Sequence, residues 1–301
     1  MIVAKEDKAE KINIKVFIIN LRRSVQRRAS IIEQMDKHGI GYELFPAVDG
    51  KEIDDETMRK IHSISDRFKE TYFRDMERGE AGAALSHIGI YKKIVVEKID
   101  CAIILEDDVE FDDRLKKLVD NYKRTRAVLR HYDLVLLGYS RNDLNYKKKA
   151  DCSYWGRIEL YEKIKVGAPV HWYWAAIGYL VSYGGAQKLL SHSELPEMQA
   201  DYLTANSPAY GLKLGLTLEP IIWPGDLNNF STIRVSKEEK EQRNSPYKQE
   251  FVVERSNQKL KRKKDNNFIE FMKTRYRKLR VFILTEKLKL SSKPYKFIKE
   301  K

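Results

Sequence analysis

The stretch Cys101–Val109 reads Cys-Ala-Ile-Ile-Leu-Glu-Asp-Asp-Val, an apolar run that ends abruptly in three consecutive acidic residues. The apolar part predicts a strand through the middle of a core. The acidic part then falls at the carboxyl edge of the sheet, where open α/β sheets bind their ligands. Three neighbouring carboxylates repel one another, and a stable fold keeps them together with a cation or with Arg and Lys nearby. Oxygen-only donors suit Mg²⁺ or Mn²⁺ holding a diphosphate better than they suit zinc. Glu106, Asp107 and Asp108 are therefore the first candidate for a ligand site.

Strand-like and helix-like patterns alternate around this run. Lys15–Leu21 predicts a first strand, and Ser24–Lys37 a helix with Ser24 as its N-cap and His38-Gly39 as its stop. Tyr42–Val48 predicts a second strand, closed by the turn residues Asp49-Gly50. Residues 52–78 read as short helices and loop, and Gly82–Val96 as a helix leading into the acidic strand. A helix is expected over Asp112–Arg130, with Asp112 and Asp113 at the positive end of its dipole. Strands follow at Asp133–Gly138 and Ile177–Ser182, then a helix from Gly184-Gly185 to Leu190. A late strand over Leu214–Ile222 is broken by Pro224-Gly225. This alternation predicts an α/β sheet, largely parallel at its start. With neither a Walker A loop nor a GxGxxG fingerprint, a nucleotide has to be held another way.

Composition sets the surroundings. The 301 residues suffice for one large domain or two smaller ones. Cys101 and Cys152 form no close-spaced pair, which predicts neither a disulfide framework nor a zinc site, and a reducing compartment. The charged start MIVAKEDKAEKINIK lacks the apolar stretch of a signal peptide. No run approaches the ~20 apolar residues of a membrane span, so a cytoplasmic protein is expected. The net charge of +13 comes from 57 Lys and Arg against 44 Asp and Glu. Residues 255–301 hold 17 of the former and 4 of the latter, which leaves 40 of each sign in a neutral body. Such a tail points to an anionic surface as its partner.

Further candidates follow from residue type. Arg27 and Arg28 sit on the first helix, and guanidinium forks match phosphate oxygens, so one of the two is expected at a diphosphate. Asn20 at the first strand's end suits a base edge, and Asp49 in the turn suits a nucleoside. Ser86-His87 opens the helix before the acidic strand. His171-Trp172-Tyr173-Trp174 is an aromatic cluster suited to stacking on sugar rings.

The motifs INLRRSVQRR (19–28), FPAVDG (45–50), GEAGAALSHIGIY (79–91), ILEDDV (104–109) and GYLVSYGGAQKLL (178–190) occur in the order of glycosyltransferase family 25, which the chain closely resembles. Bacterial members extend lipopolysaccharide or lipooligosaccharide, often as β-galactosyltransferases. The resemblance covers roughly residues 14–235; it departs where members often carry Cys in place of Ala83 or Ala84, a packing difference. It implies a GT-A-like fold, a Rossmann-like nucleotide-binding sheet flanked by helices, over residues 1–235. A basic, partly amphipathic helical C-terminal region, 236–301, is expected to follow.

The resemblance also implies roles. Asp108 matches a metal ligand holding Mn²⁺ (or Mg²⁺) between the two phosphates of a UDP-sugar. Glu106 supports the ribose or the metal's waters, and Asp107 lies beside them in the nucleotide-sugar site with Asn20, Arg27, Arg28, Asp49, Ser86 and His87. An inverting transfer requires a base for the acceptor hydroxyl. Asp201 aligns with an Asp that the family carries after its GYxxS segment and is the candidate, with Glu197 and Asp226 as rivals. Asp226 has a second reading as a late metal or diphosphate ligand. Trp172, from an HW pair that recurs in related enzymes, and Trp174 are the candidate acceptor wall.

The expected activity is transfer of a hexose, galactose from UDP-galactose first, onto a lipid-linked lipooligosaccharide core. UDP-glucose or a UDP-N-acetylhexosamine is the alternative donor. A non-catalytic protein binding membrane or nucleic acid through its basic tail is the alternative of another class, and the body has no nucleic-acid module. In the tail, apolar positions 268, 272, 276, 279 and 283 keep helical spacing among cations. That pattern predicts peripheral attachment to the cytoplasmic face of the inner membrane.

Overall fold

The computed structural model describes residues 14–140, 146–153, 156–161, 164–174, 176–192 and 194–226, all within one compact unit, Met1–Arg234. The basic tail lies outside the described residues.

The amino-terminal part sets the frame. Strand β1 (Lys15–Asn20) is followed by helix α1 (Val25–Lys37), strand β2 (Glu43–Pro46), a 3₁₀ turn (Gly50–Glu52), and helices α2 (Asp55–Ile64), α3 (Asp66–Tyr72) and α4 (Arg78–Val96). Strand β3 (Cys101–Glu106) then runs parallel to β1, which is parallel to β2. Ile19 stands opposite Glu106, so Asn20 and the acidic triplet emerge on one edge. The sides of these strands alternate between two cores. Phe17 and Ile104 pack on the α4 side, and Ile18 and Ile103 on the α1 side, all four fully buried. An apolar run with no polar face is what a strand covered on both sides requires.

The predicted helix over 112–130 is two. Helix α5 (Asp113–Asp120), capped by Asp112 through the Arg114 N–H, ends at Asn121, and α6 (Tyr122–Val128) starts there. Asn121 and Thr125 side chains bond the Lys117 and Leu118 carbonyls, satisfying the backbone at the break. Ahead of α5, a short strand β4 (Val109–Phe111) went unforeseen.

Strand β5 (Leu134–Leu136) is followed by a hairpin, β6 (Ile158–Tyr161) and β7 (Ile164–Gly167). Strand β8 (Gly178–Ser182) leads into α7 (Tyr183–Leu190), then α8 (Ala200–Ala205). The expected late strand is two pieces, β9 (Leu214–Thr217) and β10 (Ile222–Pro224). Pro220 between them has no N–H to offer a ladder. The eight-stranded sheet runs β2-β1-β3-β8-β5-β9-β7-β6, while β10 pairs with β4 outside it. Parallel pairing at the start is as expected; β8 is antiparallel to both its neighbours.

Three consequences position the site. Because β8 is antiparallel to β3, its entrance lies at the carboxyl edge of β3, and the Glu106 N–H donates to the Ile177 carbonyl at 3.0 Å. Because β10 pairs with β4, the Gly225 N–H donates to the Asp108 carbonyl at 2.7 Å. The Ala47–Gly50 loop is pressed against α4: a Cβ on Gly50 would lie 2.2 Å from the Arg78 carbonyl oxygen, and one on Gly82 2.7 Å from that of Val48. Only glycine permits those approaches.

Candidate functional site

At this edge a cleft of about 240 Å³ opens between the ends of β1 and β3, the Asp49 loop and the start of α4. Its lining includes Arg23, Arg27, Asp49, Lys51, Arg78, Ser86, His87, Glu106 and Asp107.

Arg27 is the bridge between α1 and the acidic triplet. Its guanidinium pairs with Asp107 and lies 3.1 Å from Asp108 Oδ2. Asn20 Nδ2 donates to the other Asp107 oxygen at 2.6 Å. Burial pushes the Asp107 carboxyl upward, and the Arg27 charge and the Asn20 bond oppose it without reversing it. Buried carboxylates persist only when paired in this way. The Arg27 Nε is buried with no hydrogen-bond partner among the described residues. Arg28, one residue on, turns to the outer face of α1 and donates to the Arg22 carbonyl at 3.4 Å. A helix rotates successive side chains by about 100°, so only Arg27 of the expected pair enters the cleft.

Glu106 lies nearby with 30% of its side chain exposed. Burial raises its pKa well above the ordinary carboxylate range, and the charges of Asp108, Asp201 and Asp107 raise it further, against Arg27. His87 is buried, and burial pushes its pKa down to about 3, so it is neutral. Its Nδ1 lies 2.7 Å from the Tyr179 hydroxyl, and its Nε2 3.9 Å from Glu106 Oε1. Ser86 is buried and engaged by protein on both sides: it accepts from the Val48 N–H at 2.9 Å and donates to the Gly82 carbonyl at 2.7 Å. It fastens the Asp49 loop to α4. Asp49 caps the 3₁₀ turn, accepting from the Lys51 N–H, and its other oxygen lies 3.1 Å from Arg23 Nε.

Arg23, Lys51 and Arg78 are cleft cations that sequence reasoning passed over. Arg78 bonds the Ile53 carbonyl and the Asp55 carboxylate. Arg23 stands in the quoted INLRRSVQRR run, and that run was the available signal.

Three of the acceptor-side candidates, Asp201, Trp172 and Trp174, gather near the entrance of β8. Asp201, in the first turn of α8, accepts from the Ala176 N–H at 2.7 Å just before β8. Burial raises its pKa, and its charge is felt at Glu106. Trp172, 40% exposed, has its ring 5.4 Å from Trp174 and 5.8 Å from Tyr202, the neighbour of Asp201. Trp174 is half-buried and pinned by a reciprocal backbone bridge to Ser140. Glu197 lines a separate cavity of about 20 Å³. Asp226 is exposed, directly after Gly225 on Asp108.

Among the described residues, no three His, Cys, Asp or Glu side chains are gathered as a finished metal cage. The donor chemistry nevertheless fits a hard divalent ion: oxygen donors only, with the charges of Glu106, Asp107 and Asp108 set against the one guanidinium of Arg27. Asn20 and Arg27 both engage Asp107, and Arg27 reaches Asp108 as well.

A family model described as glycosyltransferase family 25 (LPS biosynthesis protein) matches residues 13–204. The chain belongs to glycosyltransferase family 25. The match runs from the strand before Asn20 through Asp201, so it holds every candidate above except Asp226. Among curated relatives, a glycosyltransferase 25 family member of Drosophila melanogaster is 34% identical over 64% of this chain and 31% of its own length. One from Aedes aegypti is 30% identical over 61% and 29%. Human procollagen galactosyltransferase 2 is 26% identical over 61% and 28%. The chain thus spans under a third of the length of these family 25 relatives.

Proposed function

We propose that this family 25 chain is an inverting glycosyltransferase that moves a hexose, galactose from UDP-galactose, onto a lipooligosaccharide or lipopolysaccharide core. The observation that carries the reading is the convergence at one sheet edge of Arg27, the Glu106–Asp108 carboxylates and the half-buried acid Asp201. Galactose is supported by the procollagen galactosyltransferases among the relatives, and the core acceptor by the description of the family as LPS biosynthesis proteins.

In this reading Arg27, with its buried Nε still lacking an acceptor, and Arg23 face the diphosphate, and Asn20 and Asp49 frame the nucleoside. Asp108 and Glu106 would hold Mn²⁺ (or Mg²⁺), which supplies charge neutralisation for the departing UDP. Asp201 takes the proton of the acceptor hydroxyl; a carboxyl raised by burial is the better base near neutral pH. Trp172 and Tyr202 wall the acceptor sugar. The basic tail, read from sequence, holds the enzyme at an anionic membrane surface, at about 1 kcal/mol per engaged cation.

Because a rat relative is named a probable inactive member, activity has to be measured. Calorimetric titration of UDP with and without Mn²⁺ should show metal-dependent binding that Asp108→Ala abolishes. UDP release should be fastest with UDP-galactose in a donor screen. A chain that binds no UDP under either condition is not this enzyme.

A further inference from the structure

Three buried rings behind the cleft form a hydrogen-bonded chain with one chemically consistent direction. His87 and Tyr91 lie one turn apart on α4, Tyr179 faces them from β8, and none is more than 1% exposed. The Tyr91 and Tyr179 hydroxyls are 2.6 Å apart, the Tyr179 hydroxyl is 2.7 Å from His87 Nδ1, and His87 Nε2 is 3.9 Å from Glu106 Oε1. The imidazole also stacks on the Tyr179 ring at 5.7 Å, which fixes its plane.

Two proton arrangements fit these positions. In the first, Tyr91 donates to Tyr179, Tyr179 donates to His87 Nδ1, and the imidazole proton sits on Nε2, facing Glu106. Every buried proton then has an acceptor or faces a carboxylate. In the second, Nδ1–H donates to Tyr179, and either tyrosine hydroxyl donates to the other. One tyrosine proton is then left without an acceptor among the described residues, that of Tyr91 in the first case and that of Tyr179 in the other. A buried donor without an acceptor is unfavourable.

We propose that Tyr179, which accepts from Tyr91, is a positioning residue that locks His87 as its Nε2–H tautomer, so that a fixed N–H donor points from the core at Glu106. The catalytic consequence rests on the glycosyltransferase reading. A fixed N–H donor 3.9 Å from Glu106 Oε1 biases the orientation of that side chain and leaves its other oxygen available to a cation or a donor hydroxyl. Outer partners of this kind change ligand affinity by ~10–100-fold when removed.

The tautomer can be read without any ligand. Long-range proton–nitrogen NMR on the full chain, labelled at its 6 histidines, with His87 assigned by its loss in His87→Gln, should show a protonated Nε2 and an unprotonated Nδ1 at neutral pH. Tyr179→Phe should give a mixture of tautomers; Tyr91→Phe, which leaves the Tyr179 donor in place, should not. In the presence of Mn²⁺, Tyr179→Phe should weaken UDP binding by about tenfold or more, with Tyr91→Phe close to the parent. A protonated Nδ1 in the parent, or an unchanged tautomer in Tyr179→Phe, overturns the lock. A freed tautomer with full UDP affinity overturns its positioning role. If the parent itself binds no UDP, the glycosyltransferase reading fails, and the NMR result alone decides the lock.

Discussion

Replacing Arg27 by Met tests the electrostatic centre of the cleft. The guanidinium is 14% exposed and sits between Asp107 and Asp108, 3% and 7% exposed. Removing one member of a buried ion pair costs about 3–5 kcal/mol, because a charge is left without compensation. Two features of this site lower that figure. Asn20 still donates to Asp107, and the parent carries an orphan Nε whose burial already costs about 1–3 kcal/mol. A net loss of about 2–3 kcal/mol at pH 7 follows.

The loss must also depend on pH. The folded Asp107 carboxyl already titrates above its ordinary value, and without Arg27 it moves higher. A carboxyl whose pKa is raised on folding favours the fold below its unfolded pKa, and that stability is lost as pH rises through the folded pKa. The deficit of Arg27→Met should therefore shrink from pH 7 to pH 5. Urea denaturation in chelator-containing buffer at pH 5, 6 and 7 measures it, and Arg27→Met with Asp107→Asn should recover at least half of the deficit. A deficit below about 1 kcal/mol, or one equal at all three pH values, would refute the pairing argument.

Further outcomes are expected. The folded pKa of His87, about 3, lies far below its unfolded 6.5, so the unfolded chain takes up a proton first and stability falls with pH below 6.5, by up to about 1.4 kcal/mol per unit. The raised Glu106 and Asp201 work in the opposite sense, so the test is the difference between parent and His87→Gln, whose curve should be flatter from pH 6 to 4; parallel curves contradict the burial. Gly82→Ala places a Cβ 2.7 Å from the Val48 carbonyl oxygen and should cost about 1–3 kcal/mol in chemical denaturation. Gly184→Ala, on α7 with no atom within 4 Å of the added Cβ, should stabilise by about 0.5–1 kcal/mol. Trp172→Ala should raise the acceptor KM with a stability change under about 1 kcal/mol, since the ring is 40% exposed; an unchanged KM removes Trp172 from the acceptor wall. Deleting residues 255–301 should abolish sedimentation with anionic vesicles and leave UDP binding intact.

What could be read from the chain divides along a physical line. β1, α1, α4, β3 and β8 each carry their own signal: apolar runs flanked by caps and turns, long enough for periodicity to show. The acidic triplet at the end of β3 was legible for the same reason, since strand direction fixes the edge at which it emerges. The three-residue β4 and β10 carry no period, and they exist because Val109–Phe111 and Ile222–Pro224 find each other 113 residues apart. That pairing seats Gly225 on Asp108, so the surroundings of a candidate metal ligand depend on a contact with no local pattern. Arg23 is a like case: it precedes α1, outside any helical pattern, and its partner Asp49 belongs to another loop. Tyr91 and Tyr179 look like ordinary core aromatics in sequence, on a helix and a strand that each needed a large side chain. Their hydroxyls acquire direction only where α4 crosses β8, with His87 on one side and, among the described residues, no other acceptor behind. Polar chemistry inside this fold is thus set by long-range pairing, and the local pattern supplies the scaffold that makes each pairing possible.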